Sequence, residues 1–376
     1  MPFDDEQAPR VSCQVRAEYA GATVAEVLRR QLHIGRKTIR HARYVEGTIL
    51  VDGQAARTDA RVYAGQNVSI RTDDALVRAS VPGITPEYGP LEVLYLDECF
   101  IAVNKPAGMV VHPRVGNTEH TLANYVAGYL EKHGIPGSVH PIHRIDAGTT
   151  GIVLFALSSF AQSAIQEQLH RSFERDYLAI CTGWIEGTSQ EASAPPKEEV
   201  LDLGVGSGPS PNPDLSPGLD PGLGLAPSLN PDLNLDAFRT IDAPIARRSD
   251  CKSTKFAVVG DAPCVTGSEK KAVTHFVTLA QLCDKAPLSL VRLRLETGRT
   301  HQIRVHMAHL GHPLLSDPLY STTAQEESAP PMGRPALHSW SLRLQHPLSS
   351  EGIRIQAPLP EDMQRFIPKN IQAKLG

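Results

Sequence analysis

Residues 143–156 read HRIDAGTTGIVLFA. His143, Arg144 and Asp146 stand directly before the turn-forming run Gly148, Thr149, Thr150, Gly151. The apolar run from Ile152 to Ala156 that follows has the length and composition of a buried strand. A lone carboxylate is thereby fixed at a strand entrance. Two readings fit this placement: Arg144 and Asp146 tie down a tight loop, or Asp146 carries chemistry at the lip of a sheet.

The rest of the chain bounds the choice. With 376 residues, 41% of them hydrophobic and 21% charged, it is long enough for two domains and a sizeable core. No apolar run approaches the length of a membrane span. The opening MPFDDEQAPR is polar and acidic, unlike a secretory signal. Cys13, Cys99, Cys181, Cys251, Cys264 and Cys283 are scattered without CxxC pairs, which suits free thiols in a reducing compartment, and the protein is expected to be cytoplasmic. The net charge of -4 argues, as an average, against an acidic partner, but what matters for phosphate binding is whether Lys and Arg collect on one face.

They collect near the start. Residues 12–75 read as a small separate module, in which Val24, Val27, Leu28 and Leu32 have helical spacing. A second helix is predicted from about Arg36 to Val45, with Arg36, Arg40 and Arg43 on one face opposite Ile39 and Ala42. Arg29, Arg30, His33, Lys37 and His41 add to that face, and no acid interrupts the stretch from Val27 to Val45. It is either a solvated helix face or a phosphate-binding one. Short strands are expected at Gly47 to Val51, closed by the Asp52, Gly53 turn, and at Val68 to Ile70.

Residues 76–90, rich in Pro and Gly toward their end, read as a linker, and the larger domain spans 91–376. Its first strands are EVLYLD and FIAVNKPAG, in which Lys105 either contacts a ligand or supports the turn at Pro106, Ala107, Gly108. Ser158 or Ser159 caps a helix to about His170, and Arg175 to Thr182 alternates as a strand with Tyr177, Ala179 and Cys181 on one face. A strand tyrosine is ordinarily packing. Residues 186–240 repeat NPDL and PGL without helical or strand periodicity and are expected to be a disordered insertion, because so little apolar surface cannot offset the entropy of ordering it. Val291, Leu293 and Leu295 then alternate with Arg292, Arg294 and Glu296 as a strand, and Ile303, Met307 and Leu310 form a helical stripe ended by Gly311. His301, His306, His309 and His312 invite a zinc reading, but no acid or Cys ligand has suitable spacing nearby and no metal is expected. Strands are read again in ALHSWSLRLQHP and IRIQAPLP, and a helix start at Pro360, Glu361, Asp362.

The central stretch resembles the signature of the RluA-type pseudouridine synthases, with Ile145 where Leu is usual and Thr150 where Ser is usual. Further blocks agree in order: NKPAG, RDYLA with Arg175 in place of Lys, PIAR, GRTHQIRVH, the following HP, and DPLY, where Ser316 and Ser321 replace the usual glycines. The module at 12–75 resembles the αL RNA-binding domain shared with small-subunit ribosomal proteins, in which Arg29, Arg30, Arg36, Lys37, Arg40 and Arg43 would meet RNA.

The resemblance implies an α+β fold with a mixed, mainly antiparallel sheet flanked by helices, the active cleft across its middle, preceded by the small α+β module. It implies conversion of uridine to pseudouridine in structured RNA, ribosomal RNA favoured and transfer RNA the alternative, by a monomer needing no cofactor. Asp146 would be the catalytic carboxylate, kept ionised by pairing with Arg299, and would attack the anomeric carbon, assist removal of the ribose 2′ proton, or attack carbon 6 of uracil. Tyr177 would pack on the uracil, while His143, Arg144, Thr149, Arg175, His301 and Arg304 would bind the substrate. One carboxylate suffices because the uracil is both leaving group and nucleophile, unlike the pair a water-admitting glycosidase uses. A non-catalytic RNA-binding or ribosome-assembly protein is a rival of another class, whose mark would be loss of Asp146, Tyr177 or Arg299. A nucleosidase is a second rival and lacks an evident partner acid.

Overall fold

The computed structural model describes residues 10–71, 84–185, 238–250, 255–321 and 332–375, apart from 33, 44, 46, 115, 117, 169–171, 284–285 and 350. The first unit comprises β1 (Arg10–Gln14), α1 (Val24–Arg30), α2 (Arg36–Ala42), β2 (Ile49–Val51), β3 (Gln54–Ala55) and β4 (Asn67–Arg71). Its strands pair antiparallel in the order β1-β4-β2-β3. Helix α1 starts at a capping box in which Thr23 and Glu26 satisfy each other's backbone N–H groups, and it buries Val24, Val27 and Leu28. The Asp52, Gly53 turn has positive φ at both residues (49° and 80°), which matches the right-handed twist of the strands it joins. Helix α2 ends at Ala42 rather than running to Val45. Ile39 and Ala42 are buried while Arg36, Arg40 and Arg43 are exposed, as the spacing predicts. The side chains of His33, Lys37 and His41 lie outside the described ones.

The larger unit comprises β5 (Val93–Leu96), β6 (Phe100–Lys105), α3 (Leu122–Lys132), β7 (His140–Pro141), β8 (Thr150–Ala156), α4 (Ser159–Gln168), β9 (Glu174–Thr182), β10 (Arg239–Asp242), β11 (Ile245–Arg247), β12 (Phe256–Val258), β13 (Val273–Cys283), β14 (Pro287–Leu295), α5 (Gln302–His309), β15 (Leu337–Gln345), β16 (Gly352–Gln356), α6 (Glu361–Gln364) and α7 (Lys369–Leu375). Its main sheet runs β10-β13-β14-β9-β15-β8-β6-β5, with β16 also on β15 and β7 also on β8. Every pairing among the described strands is antiparallel except β8 with β15, where His338 meets Thr150 and Ser339 meets Gly151. The sheet is thus mixed and mainly antiparallel.

Both faces of the central strands are covered. Tyr177, Ala179 and Cys181 of β9 pack with Val291, Leu293 and Met307 on one face, and Leu178 and Ile180 pack with Leu290, Trp340, Met363 and Phe366 on the other. On β8, Ile152 and Leu154 pack into one cluster and Val153 and Phe155 into another, which is why it reads as an unbroken apolar run. The double cover also changes the meaning of Arg292 and Arg294, which alternation alone would put in solvent. Both are buried, and Arg294 donates from Nε and Nη2 to Asp176 of β9 at 2.7 and 2.9 Å.

Three features of the larger unit differ from expectation. Phe238 lies over the guanidinium groups of Arg292 and Arg294, 5.6 Å from each, and β10 begins at Arg239, so residues 239–240 belong to the sheet and Phe238 packs beside it rather than in the insertion. The stretch 186–237 lies outside the described residues. Residues 84–90 are no free linker, since the Glu87 N–H bonds to the Asn124 carbonyl at 3.0 Å and a Cβ on Gly128 would fall 2.0 Å from the Glu87 oxygen. Finally, α3 was not anticipated. Its cap pairs Thr121 with Asn124 where a Glu or Gln would be the usual sign.

Candidate active site

The site forms at the parallel junction of β8 and β15. Gly151 sits there at φ 104°, and a Cβ would lie 2.2 Å from the Ser339 carbonyl oxygen, so only glycine lets the strands approach. The loop before β8 is held from both sides of Asp146. Lys105, 1% exposed at the end of β6, donates from Nζ to the carbonyls of Pro106, Met109 and Ala147 at 2.8, 2.9 and 2.9 Å. Burial pushes its ammonium down to about 7. Three carbonyl acceptors complete its donor set and favour the charged form. From the other side Arg334 donates to the Leu337 carbonyl at 3.1 Å, approaches that of Gly148 at 3.4 Å, and pairs with Asp362.

Asp146 is 29% exposed. Its Oδ2 receives Nη1 of Arg304 at 3.3 Å and faces Nε2 of His301 at 3.8 Å, while Oδ1 has no hydrogen-bond partner among the described residues. Arg304 is anchored on buried Asp317, with Nε and Nη2 each 2.7 Å from a carboxylate oxygen. His301 and Arg304 share a face at the start of α5 through their i, i+3 spacing. Arg299 does not pair with Asp146, contrary to the expectation. It precedes the helix, is exposed, and donates from Nε to the Lys271 carbonyl at 2.9 Å.

Tyr177 is 4% exposed and stands opposite Ser339 in the pairing of β9 with β15. Burial raises its hydroxyl's pKa, and the Asp146 charge adds to the effect. Thr149 is buried, and its N–H closes the turn onto the Asp146 carbonyl at 3.0 Å. Arg144 is exposed, and its charge, after burial, lowers the pKa of His112. Arg175 is buried with its guanidinium 5.7 Å from the Phe173 ring, and its Nε has no hydrogen-bond partner among the described residues. His143 departs from a substrate-facing role: it is buried, accepts the Leu154 N–H at Nε2, and is pushed down to about 3 by burial and then by Arg175.

The zinc candidates are dispersed. His306 spends both nitrogens on Thr274 and Ala243, His309 pairs with Asp261, and His312 meets the Thr182 carbonyl. Asp317, Tyr320, Arg334 and Ser339 are site residues that the sequence alone does not single out. Only Asp317 and Tyr320 carried a signal, in the DPLY block.

The RNA pseudouridylate synthase family model matches residues 99–309. Ribosomal large subunit pseudouridine synthase D of Zymomonas mobilis is 34% identical over 290 residues, covering 74% of this chain and 72% of the relative. The protein of the same description from Xanthomonas campestris is 32% identical over 331 residues, covering 85% and 80%. Among solved structures, Human RNA Pseudouridylate Synthase Domain Containing 1 matches with a TM-score of 0.49 at 24% identity, over 73% of this chain and 86% of that one. With the family model spanning more than half of its length, this chain belongs to the RNA pseudouridylate synthase family.

Proposed function

We propose that Asp146 is the catalytic group of this pseudouridine synthase and that its substrate is large-subunit ribosomal RNA in the cytoplasm, met by a monomer. The observation that carries the reading is the asymmetry of the carboxylate: Oδ2 is held by Arg304, itself locked on Asp317, and Oδ1 takes no hydrogen bond from any described residue in a side chain that is 29% exposed. A group built this way keeps one oxygen for attack without having to reorganise.

The reaction needs little else. The bond from uracil N1 to the anomeric carbon breaks, the base turns, and carbon 5 bonds to the same carbon. Carbon 5 loses a proton and N1 gains one, so nothing is oxidised and no cofactor is consumed. Oδ1 serves attack on the anomeric carbon, removal of the 2′ proton, or attack on carbon 6. Tyr177 packs on the uracil. The exposed Arg144 and Arg299 hold the phosphates of a nucleotide flipped from its stack, at a cost of a few kcal/mol that loops minimise. Thr149, Arg175 and His143 shape the pocket from behind. The exposed arginines of α2, together with the exposed Arg30 and the half-buried Arg29, support RNA contact by the αL-like module at 12–75, to which Lys37 adds charge in the sequence.

Ribosomal RNA is favoured by the description that the relatives share, which names the ribosomal large subunit. Among the described residues no helix is long and apolar enough to cross a membrane. The test is carbodiimide mapping of pseudouridine in total RNA from cells lacking the gene and cells restored with wild type or Asp146→Asn. Ribosomal sites that vanish on deletion and return only with Asp146 are the expected result. Sites in transfer RNA would redirect the substrate, and restoration by Asp146→Asn would overturn the catalytic assignment.

A further inference from the structure

We propose that Tyr320 and His301 are positioning residues that form a relay aiming an imidazole N–H at Asp146, an inference that rests on Asp146 being the catalytic group. The Tyr320 hydroxyl oxygen accepts the Phe256 N–H at 3.1 Å, which leaves the hydroxyl proton to go elsewhere. Nδ1 of His301 lies 3.0 Å away. Burial pushes the Tyr320 phenol up to about 12, so near neutrality it is a donor. A ring nitrogen that accepts carries no proton, and the neutral imidazole must then hold its proton on the other nitrogen. That nitrogen, Nε2, is the one facing Asp146 Oδ2 at 3.8 Å.

Two more observations belong to the same device. The Tyr320 ring lies 5.2 Å from the Arg304 guanidinium, so one side chain supports both groups that face Oδ2. His301 is held at φ 57°, ψ 18°, a conformation non-glycine residues seldom adopt, yet its side chain makes no helix-capping bond. The strained backbone serves the imidazole's direction instead. The charged and titratable groups acting on this ring are Asp146, Arg304, Asp317 and Tyr320, and burial holds it below the usual histidine range. A neutral Nε2–H orients the carboxylate without cancelling its charge, whereas an imidazolium would compete for the electrons the reaction needs.

The tautomer is directly readable. In the full chain labelled with 15N-histidine, long-range 1H–15N spectra near neutral pH should show His301 protonated on Nε2, the peak among the 15 histidines being identified by its loss in His301→Asn. Protonation on Nδ1 in the wild type overturns the proposal. Tyr320→Phe keeps the ring beside Arg304 and removes the hydroxyl. It should lower the single-turnover rate about tenfold, the worth of one hydrogen bond, at unchanged RNA affinity. It should also move the acid limb of the rate profile to higher pH, because His301 then protonates more readily. An unchanged rate and profile overturns the relay. Turnover by Asp146→Asn would instead overturn the underlying catalytic reading, and the tautomer spectrum would still judge the relay.

Discussion

Arg304 and Asp317 are joined by two bonds of 2.7 Å, which leaves Nη1 as the guanidinium nitrogen that faces Asp146 at 3.3 Å. The buried pair thus presents one donor at a fixed angle. Lysine has a single nitrogen and cannot hold both carboxylates in this geometry. Arg304→Lys should therefore lower single-turnover rates by about a hundredfold or more, roughly 2.7 kcal/mol, with RNA affinity within a few fold. Retention of the full rate would show that Arg304 does not serve Asp146.

Gly151 and Gly108 both have positive φ, 104° and 86°, but only at Gly151 does a Cβ meet backbone, 2.2 Å from the Ser339 oxygen. At Gly108 nothing lies within 4 Å. Gly108→Ala should cost about 1 kcal/mol for backbone conformation alone. Gly151→Ala must also part β8 from β15 and should cost at least about 3 kcal/mol. Urea unfolding of the two variants makes the comparison, and equal losses would contradict the tight parallel junction.

Much of this architecture is legible in the sequence because burial leaves a local mark. The apolar run of β8, the alternation in β9 and the stripe on α5 each record which face is covered. The choice of Arg304 over Arg299 was also local, since His301 and Arg304 share a helix face that Arg299 precedes, but which face meets the β8 loop depends on packing. What was hidden is the support from afar. Lys105 reaches the Ala147 carbonyl across 42 residues, and Arg334 approaches that of Gly148 across 186. Burial of Arg292 and Arg294 was equally invisible, because alternation cannot tell a solvent face from a second core layered on charge pairs. Ser316 at φ 56° shows the converse, a left-handed position where the family's glycine is replaced without losing the turn.

Acid should weaken the fold through two buried histidines. Burial pushes His143 down to about 3 and His338 to about 4. In the unfolded chain both take up protons near about 6.5. Between that value and the native ones the unfolded state binds protons that the native state does not, so stability is complete above about 6.5 and falls as pH drops. Each histidine adds a slope of up to about 1.4 kcal/mol per pH unit. The urea midpoint should decline steadily from neutral pH downward, and His143→Gln, which can still accept the Leu154 N–H, should reduce the slope. A midpoint flat in this range would contradict the buried neutral placement.

The basic face of α2 gives a prediction separable from the chemistry. Arg36 and Arg40 are exposed one turn apart, while Ile39 and Ala42 carry the packing. The module also abuts the larger unit at Gly35, where a Cβ would lie 2.6 Å from Ser163 Oγ of α4. Removing the two charges thus leaves that contact intact. If both meet phosphates, Arg36→Ala with Arg40→Ala should reduce the slope of log affinity against log salt by about 1.4 to 1.8. The single-turnover rate at saturating RNA should stay at the wild-type value, because neither residue touches the loop that holds Asp146. Titrating the double variant with RNA at several salt concentrations tests the point, and an unchanged slope would return α2 to the role of a solvated helix face.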